Sequence, residues 1–371
     1  MTKSDKLLKL KSLGQSIWYD NLSRELLEDG SLKSLLDTGI LGVTSNPAIF
    51  EKAISSSSIY DQDIKALADL NKSDIEIYEE LAIADIQSAA DILFDTYLDT
   101  NKTDGFVSLE VNPHLAHDTS GTILEAKRLY KEVGRPNLMI KVPATKEGIP
   151  AIEHLIGEGI SVNVTLIFSL ESYKNVVNAY KSGIASFISK SGDPSSVASV
   201  ASIFIGRVDA SVDKSIKSLG LDSQINMGAS GVANGIVAYK YFRDFFYSEK
   251  FNDLLARGAR VQRPLWASTA VKDPALKDVF YVEELIGSDT VNTLPDVTLN
   301  AFIDHGIVKN SIDENLLSAA NHLEIINGSK INIDEIMDEL LVDGVKIFAD
   351  AFDQLIDNIS RKRLAIYSKN V

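Results

Sequence analysis

A lysine stands in the middle of an apolar run. Lys141 lies within Leu138-Met139-Ile140-Lys141-Val142-Pro143-Ala144-Thr145, with an apolar residue on either side. Taken alone, such a lysine reads as paired or snorkelling, its stem buried and its charge led to solvent. The sharper chemistry is that of an amine held out of water. Burial disfavours the ammonium form, and the neutral amine can attack a carbonyl to form a Schiff base. That reaction needs acids and bases nearby. Glu110, Thr165 and Asp20 are the candidates, each at the end of a short apolar run of its own. One strand carboxylate would ordinarily be an ion-pair partner; three such groups at matching parity beside a buried lysine point to catalysis.

The runs that carry these residues alternate with amphipathic stretches. The runs are Ile17-Trp18-Tyr19, 40–44, 106–111, 138–142, 162–168, 197–205, 264–267 and, more weakly, 289–294. Helical patterns cover 74–99, 120–133, 148–158, 170–190 and 234–251, and Ser73 with Glu76 makes a capping box at the first of them. Alternating βα units imply a parallel sheet, and eight of them imply a closed (β/α)8 TIM barrel. An open doubly wound sheet is the rival. It usually opens on a glycine-rich phosphate turn, and the chain has neither GxGxxG nor GxxxxGK. Beyond the eighth run, Ile336, Leu340, Ile347, Phe348, Ala351, Phe352, Leu355, Ile356 and Ile359 make one apolar helical face. Acidic residues at its start and Arg361, Lys362 and Arg363 near its end suit the helix dipole. It reads as a long C-terminal helix packed on the barrel. No repeat, low-complexity tract or linker interrupts residues 1–371, which are expected to form a single barrel domain with extra helices.

Active sites of such barrels lie at the C-terminal ends of the strands, and residues two apart on a strand share a face. Reading every run at one parity brings together Trp18 and Asp20, Thr44 and Asn46, Ser108, Glu110 and Asn112, and Met139 and Lys141. Asn163 and Thr165 follow, then Ser202 and Phe204 with Arg207 just beyond, and Ser268. Polar groups at interior positions of so many strands are costly unless they face one shared polar site.

Composition narrows the partners. There is no cysteine, which removes disulfides, thiolate metal sites and cysteine nucleophiles. With 37 basic against 52 acidic residues the net charge is −15, so neither nucleic acid nor an acidic membrane is an expected partner. An anionic substrate must be caught by a local cationic pocket. No apolar run is long enough to be a signal h-region or a membrane span, and a cytoplasmic protein is expected.

Six ordered motifs closely resemble the transaldolase family. They are Gly42-Val43-Thr44-Ser45-Asn46-Pro47, Ser108-Leu109-Glu110-Val111, 140–145 (IKVPAT), 163–169 (NVTLIFS), 202–209 (SIFIGRVD) and 263–269 (RPLWAST). The resemblance runs from about residue 14 to the C-terminus and is to the longer bacterial branch. It implies a class I aldolase mechanism, in which a ketose phosphate donates a dihydroxyacetone unit to an aldose phosphate in the pentose phosphate pathway. By position, Lys141 would form the Schiff base. Asp20 would act as acid/base on the hydroxyl whose deprotonation cleaves the carbon–carbon bond, and Glu110 and Thr165 would move protons through a water. Asn46 and Asn163 would bind the intermediate's hydroxyls, with Thr44, Ser202 and Phe204 lining the pocket, and Arg207 and Ser268 would bind phosphate. Many members place an arginine two residues after that serine. Here Ala270 stands there, and the resemblance points to Lys272 as the replacement. No cofactor and no metal is expected, since a protonated Schiff base does the polarising a metal would do. Sugar phosphates are the expected partners of a monomer or homodimer.

Two alternatives stay open at this stage. An aldolase that releases free dihydroxyacetone is one; such relatives are shorter and tend to carry Gln at the Glu110 position and Tyr at the Phe204 position. A non-catalytic sugar-phosphate-binding barrel is the other, and it would not need Lys141, Glu110, Thr165 and Asp20 together. His114 and His117 approach ligand spacing, but lack a HExxH pattern or a third ligand, so all five histidines are read as surface or capping groups. Gly228-Ala229-Ser230-Gly231 reads as a tight turn before a helix. Arg257, Arg260 and Arg263 either draw in phosphate or sit on a solvated loop.

Overall fold

The computed structural model describes residues 3–368. Eight strands, β1 (Gln15–Tyr19), β2 (Gly42–Val43), β3 (Val107–Glu110), β4 (Leu138–Pro143), β5 (Val162–Ile167), β6 (Ser199–Phe204), β7 (Arg263–Ala267) and β8 (Thr290–Leu294), close a barrel in sequence order. Every neighbouring pair is parallel, β8 returning to β1. This is a TIM barrel with additional helices, as the alternation of runs implies.

The period of two along each strand sorts side chains into two cores. Ile17, Leu109, Ile140, Val142, Val162, Val164 and Ile203 face outward beneath the helices. Trp18, Met139, Val200, Leu265 and Val291 fill the barrel. At Gly42 the indole of Trp18 lies so close that a Cβ would stand 2.7 Å from the ring, which requires glycine there. The floor is polar and closed. Asp104 accepts from Trp18 Nε1 (2.8 Å), Ser16 Oγ (2.8 Å) and Arg263 Nη2 (2.9 Å), all buried. Arg263 therefore begins β7 at the opposite end from Lys141, and Arg260 donates to the carbonyls of Ser195 and Asn101. These two arginines hold the floor and neither attracts phosphate at the mouth.

Helix 74–99 falls where its pattern puts it, with the capping box of Ser73 and Glu76 formed. The helix expected at 234–251 starts earlier, at Ser230, and stops at Phe246. The C-terminal helix runs Ile333–Ser368 across the barrel mouth. Its buried face is Leu340, Gly344, Phe348, Phe352, Leu355 and Ile359, while Ile347 is exposed. Lys362 and Arg363 lie short of its end, so the dipole reading fails for them. Instead they pair with Asp61 (2.8 Å) and Asp74 (3.0 Å) on neighbouring helices. Among the described residues no helix is long and apolar enough to cross a membrane.

The Trp18–Gly42 contact is testable. Trp18 is fully buried and tied to Asp104, so it cannot retreat from an added methyl. Gly42→Ala should lower stability by about 1–3 kcal/mol, read as a lower urea midpoint with an unchanged slope. An unchanged midpoint would mean that the indole is not held.

Candidate active site

Lys141 projects into the C-terminal end of the barrel from β4. Parallel register sets Glu110 of β3 directly beside it on one side and Asn163 of β5 on the other. Lys141 Nζ lies 3.5 Å from Glu110 Oε2 and 3.4 Å from the Ser45 carbonyl oxygen. Both charged side chains are almost wholly buried, at 8% and 4% exposed. Removal from water pushes the Glu110 carboxyl up to about 7, against the lowering pull of the Lys141 ammonium. A carboxyl that titrates near neutrality is suited to proton transfer in both directions. Among the described residues Glu110 Oε2 and Thr165 Oγ1, both buried, have no hydrogen-bond partner, so each can still bind a water or a substrate atom.

At the ends of β1 and β2, Thr44 Oγ1 donates to Asp20 Oδ1 at 2.7 Å. Thr293 Oγ1 lies 2.6 Å from the same hydroxyl and, with that proton committed, donates to it. Burial raises the Asp20 pKa, opposed by Lys141 and by the Thr44 hydrogen bond. One layer below, Ser202 Oγ donates to Asn163 Oδ1 (2.7 Å) and Asn163 Nδ2 donates to Ser108 Oγ (3.1 Å). This chain fixes the Asn163 carboxamide next to Lys141. Asn46 caps helix Pro47–Ser56 by accepting from the Ile49 N–H at 3.0 Å. Its amide nitrogen is left as the group able to donate to a ligand.

A second cluster lies at the ends of β6 and β7. Arg207, Ser268, Ala270 and Lys272 line one cavity of about 410 Å³. Among the described residues no carboxylate lies within ion-pair distance of Arg207, whose guanidinium packs over the Phe204 ring at 5.4 Å. Burial pulls Arg207 below its ordinary pKa, opposed by Asp343 of the C-terminal helix. A half-buried cation with no carboxylate in direct contact among the described residues favours an anionic ligand. Ser268 is in the left-handed region (φ 58°), as is Leu166 (φ 58°) just after Thr165. Such backbone costs of order 1–3 kcal/mol each and gathers at functional sites.

Residues 17–359 match the Transaldolase/Fructose-6-phosphate aldolase family. The chain belongs to that family. It is 46% identical over 369 residues to transaldolase 2 of Nostoc sp. (strain PCC 7120), covering 96% of this chain and 97% of that one. It is 45% identical to the transaldolase of Trichodesmium erythraeum, at the same two shares. To transaldolase 1 of Streptomyces coelicolor it is 42% identical, covering 96% of this chain and 94% of the other.

Within this transaldolase/fructose-6-phosphate aldolase barrel, Lys141, Glu110, Thr165, Asp20, Thr44, Asn46, Asn163 and Ser202 gather at the mouth. Arg207, Ser268 and Lys272 gather beside it, with Phe204 between the Phe168 ring (5.2 Å) and Arg207. Sequence reasoning missed Thr293, which the same parity applied to β8 would have found. It also missed Ser45, whose carbonyl meets Lys141, and Phe348, whose ring lies over it. His114 and His117 are exposed and turn to Asp353 (2.7 Å) and Glu147 (3.2 Å).

The raised Glu110 pKa has a consequence for stability. Below about 4.5 folded and unfolded chains both hold the proton; between about 4.5 and 7 only the folded chain does. Each step up in pH through that window favours the unfolded state. The melting temperature of the parent relative to Glu110→Gln should therefore fall from pH 5 to pH 8. A constant difference would contradict the raised pKa.

Proposed function

We propose that the protein is a transaldolase that moves a dihydroxyacetone unit from a ketose phosphate to an aldose phosphate through a Schiff base on Lys141. Fructose 6-phosphate or sedoheptulose 7-phosphate would be the donor, and erythrose 4-phosphate or glyceraldehyde 3-phosphate the acceptor. The observation that carries the reading is a buried lysine 3.5 Å from a carboxyl that titrates near neutrality. The transaldolase names of relatives that match nearly end to end support it.

The neutral Lys141 amine attacks the donor's C2 carbonyl carbon while protonated Glu110 gives its proton to the oxygen, which becomes the carbinolamine hydroxyl. Glu110 takes the surplus proton from nitrogen and returns a proton to that hydroxyl, which leaves as water. Thr165 Oγ1 orients the water that carries it. The resulting iminium is the electron sink. Asp20 takes the C4 hydroxyl proton, the C3–C4 bond breaks, and its electron pair flows into the iminium to form an enamine. The aldose phosphate departs. In the second half the enamine carbon attacks the acceptor's aldehyde, Asp20 protonates the new alkoxide, and hydrolysis frees Lys141. Asn46 and Asn163 hold the hydroxyls of the retained unit.

Arg207, Ser268 and Lys272 receive the phosphate, Lys272 taking the role of the arginine that Ala270 displaces. Guanidinium supplies the planar fork that phosphate oxygens fit. The same reading assigns the cytosol, where phosphorylated sugars are retained.

The enamine survives until the acceptor arrives if no donor or water is held at its carbon, since protonation there would release free dihydroxyacetone. The Phe204 ring, set between Phe168 and Arg207, offers no hydrogen-bonding group that could hold a water.

Three outcomes are expected. Lys141→Arg should abolish sedoheptulose 7-phosphate formation from fructose 6-phosphate plus erythrose 4-phosphate while excess chelator leaves the parent active. Activity in that variant, or chelator loss restored by zinc, would overturn the mechanism. Arg207→Ala should raise KM for phosphorylated substrates far more than for dihydroxyacetone, and Lys272→Ala should do so more mildly; equal effects on both classes would remove these residues from the phosphate site. Phe204→Tyr, with Glu110→Gln added, should shift products from transfer toward free dihydroxyacetone. An unmoved ratio in the folded variant would show that Phe204 is not the gate.

A further inference from the structure

Lys141 Nζ has three neighbours of different chemistry. Two are the Glu110 carboxyl and the Ser45 carbonyl. The third comes from outside the barrel: the ring of Phe348 on the C-terminal helix, with its centroid 5.4 Å from the nitrogen. We propose that Phe348 is a positioning residue of the transfer reaction, its ring face holding the Lys141 nitrogen whenever that nitrogen carries positive charge. The proposal rests on the reading of Lys141 as the Schiff-base lysine.

The ring is placed by the way the helix lies on the barrel. One turn earlier, Gly344 brings the helix backbone down onto β5, and a Cβ there would stand 2.9 Å from Leu166. One turn later, Phe352 packs edge-on against Tyr78 at 5.5 Å, and Asp353 receives His114 Nε2 at 2.7 Å. Gly344, Phe348 and Phe352 are four residues apart and share one face. Close approach at one end and a ring-and-ion contact at the other fix the height of Phe348 over the mouth. It is 9% exposed and belongs to the same apolar cluster as Phe168 and Phe204.

An aromatic face suits this nitrogen for a chemical reason. Through the cycle Nζ is in turn an ammonium, a neutral amine, an iminium and part of an enamine. A carboxylate that stabilised the cations this strongly would also compete for their protons. A π face attracts the cation by its quadrupole, has no proton to give or take, and keeps water off that side. It favours the two cationic states, the ammonium and the iminium on which C3–C4 cleavage depends, over the neutral carbinolamine and the enamine.

The test compares the parent with Phe348→Leu and with 3,4,5-trifluorophenylalanine at position 348, which keeps the ring's shape but drains charge from its face. The readouts are the fraction of enzyme fixed by borohydride at saturating fructose 6-phosphate and the KM for erythrose 4-phosphate. Both variants should lower the fixed fraction, the iminium equilibrium moving about two- to fivefold, with the acceptor KM little changed because the phosphate pocket is untouched. A fixed fraction equal to that of the parent in both variants, or lowered in the leucine variant alone, would overturn the proposal, the second because the ring would then act only by filling space. If the parent itself is not fixed, the Schiff-base reading fails and not the role of Phe348 alone.

Discussion

The molecule is organised around one expensive act, the burial of an ammonium group beside two carboxyls at one end of an apolar barrel. Each charge taken from water costs several kcal/mol unless it is paired and hydrogen-bonded. Lys141 meets Glu110 and the Ser45 carbonyl, and Asp20 meets Thr44, which Thr293 supports in turn. The compensation is incomplete, since burial raises both carboxyls above their ordinary range and, among the described residues, Glu110 Oε2 and Thr165 Oγ1 have no hydrogen-bond partner. That shortfall is what a reactive site requires. A fully satisfied cluster would hold its protons too firmly to pass them on.

The two ends of the barrel divide the work. At the floor, Arg263, Asp104, Ser16 and Trp18 form a buried network of mutual hydrogen bonds. At the mouth, left-handed backbone at Leu166 and Ser268, and an Arg207 with no carboxylate within ion-pair distance among the described residues, show structure held away from its local optimum. The C-terminal helix joins the halves of the mouth. Its first half packs toward Leu166 and Phe168, and its second half is tied by Asn358 to Glu51 (2.6 Å), Lys362 to Asp61 and Arg363 to Asp74.

The barrel was legible because each strand is a short apolar run whose interior parity carries the polar groups, and those groups sit where parity puts them. Lys141 stood out because a charge between apolar neighbours is rare. What escaped notice lacked a local signal. Thr293 is ordinary on a weak eighth run, and Ser45 acts through its backbone. Phe348 looked like one more apolar position on an amphipathic helix, because nothing in a sequence says which barrel residue lies under which turn. Arg263 misled for the same reason, since a cluster of three arginines along the chain does not reveal to which end of the barrel each belongs. Along the sequence the basic residues near the end of the C-terminal helix fit a dipole, a short-range rule, but long-range partners decide their place.

The central claim is that the buried Lys141 is the covalent centre, and locating the adduct tests it most directly. Protein treated with fructose 6-phosphate and borohydride should carry one reduced dihydroxyacetone unit, and peptide mass mapping should find it on Lys141 alone. An adduct on any other lysine, or no adduct in protein that turns over substrate, would contradict the account.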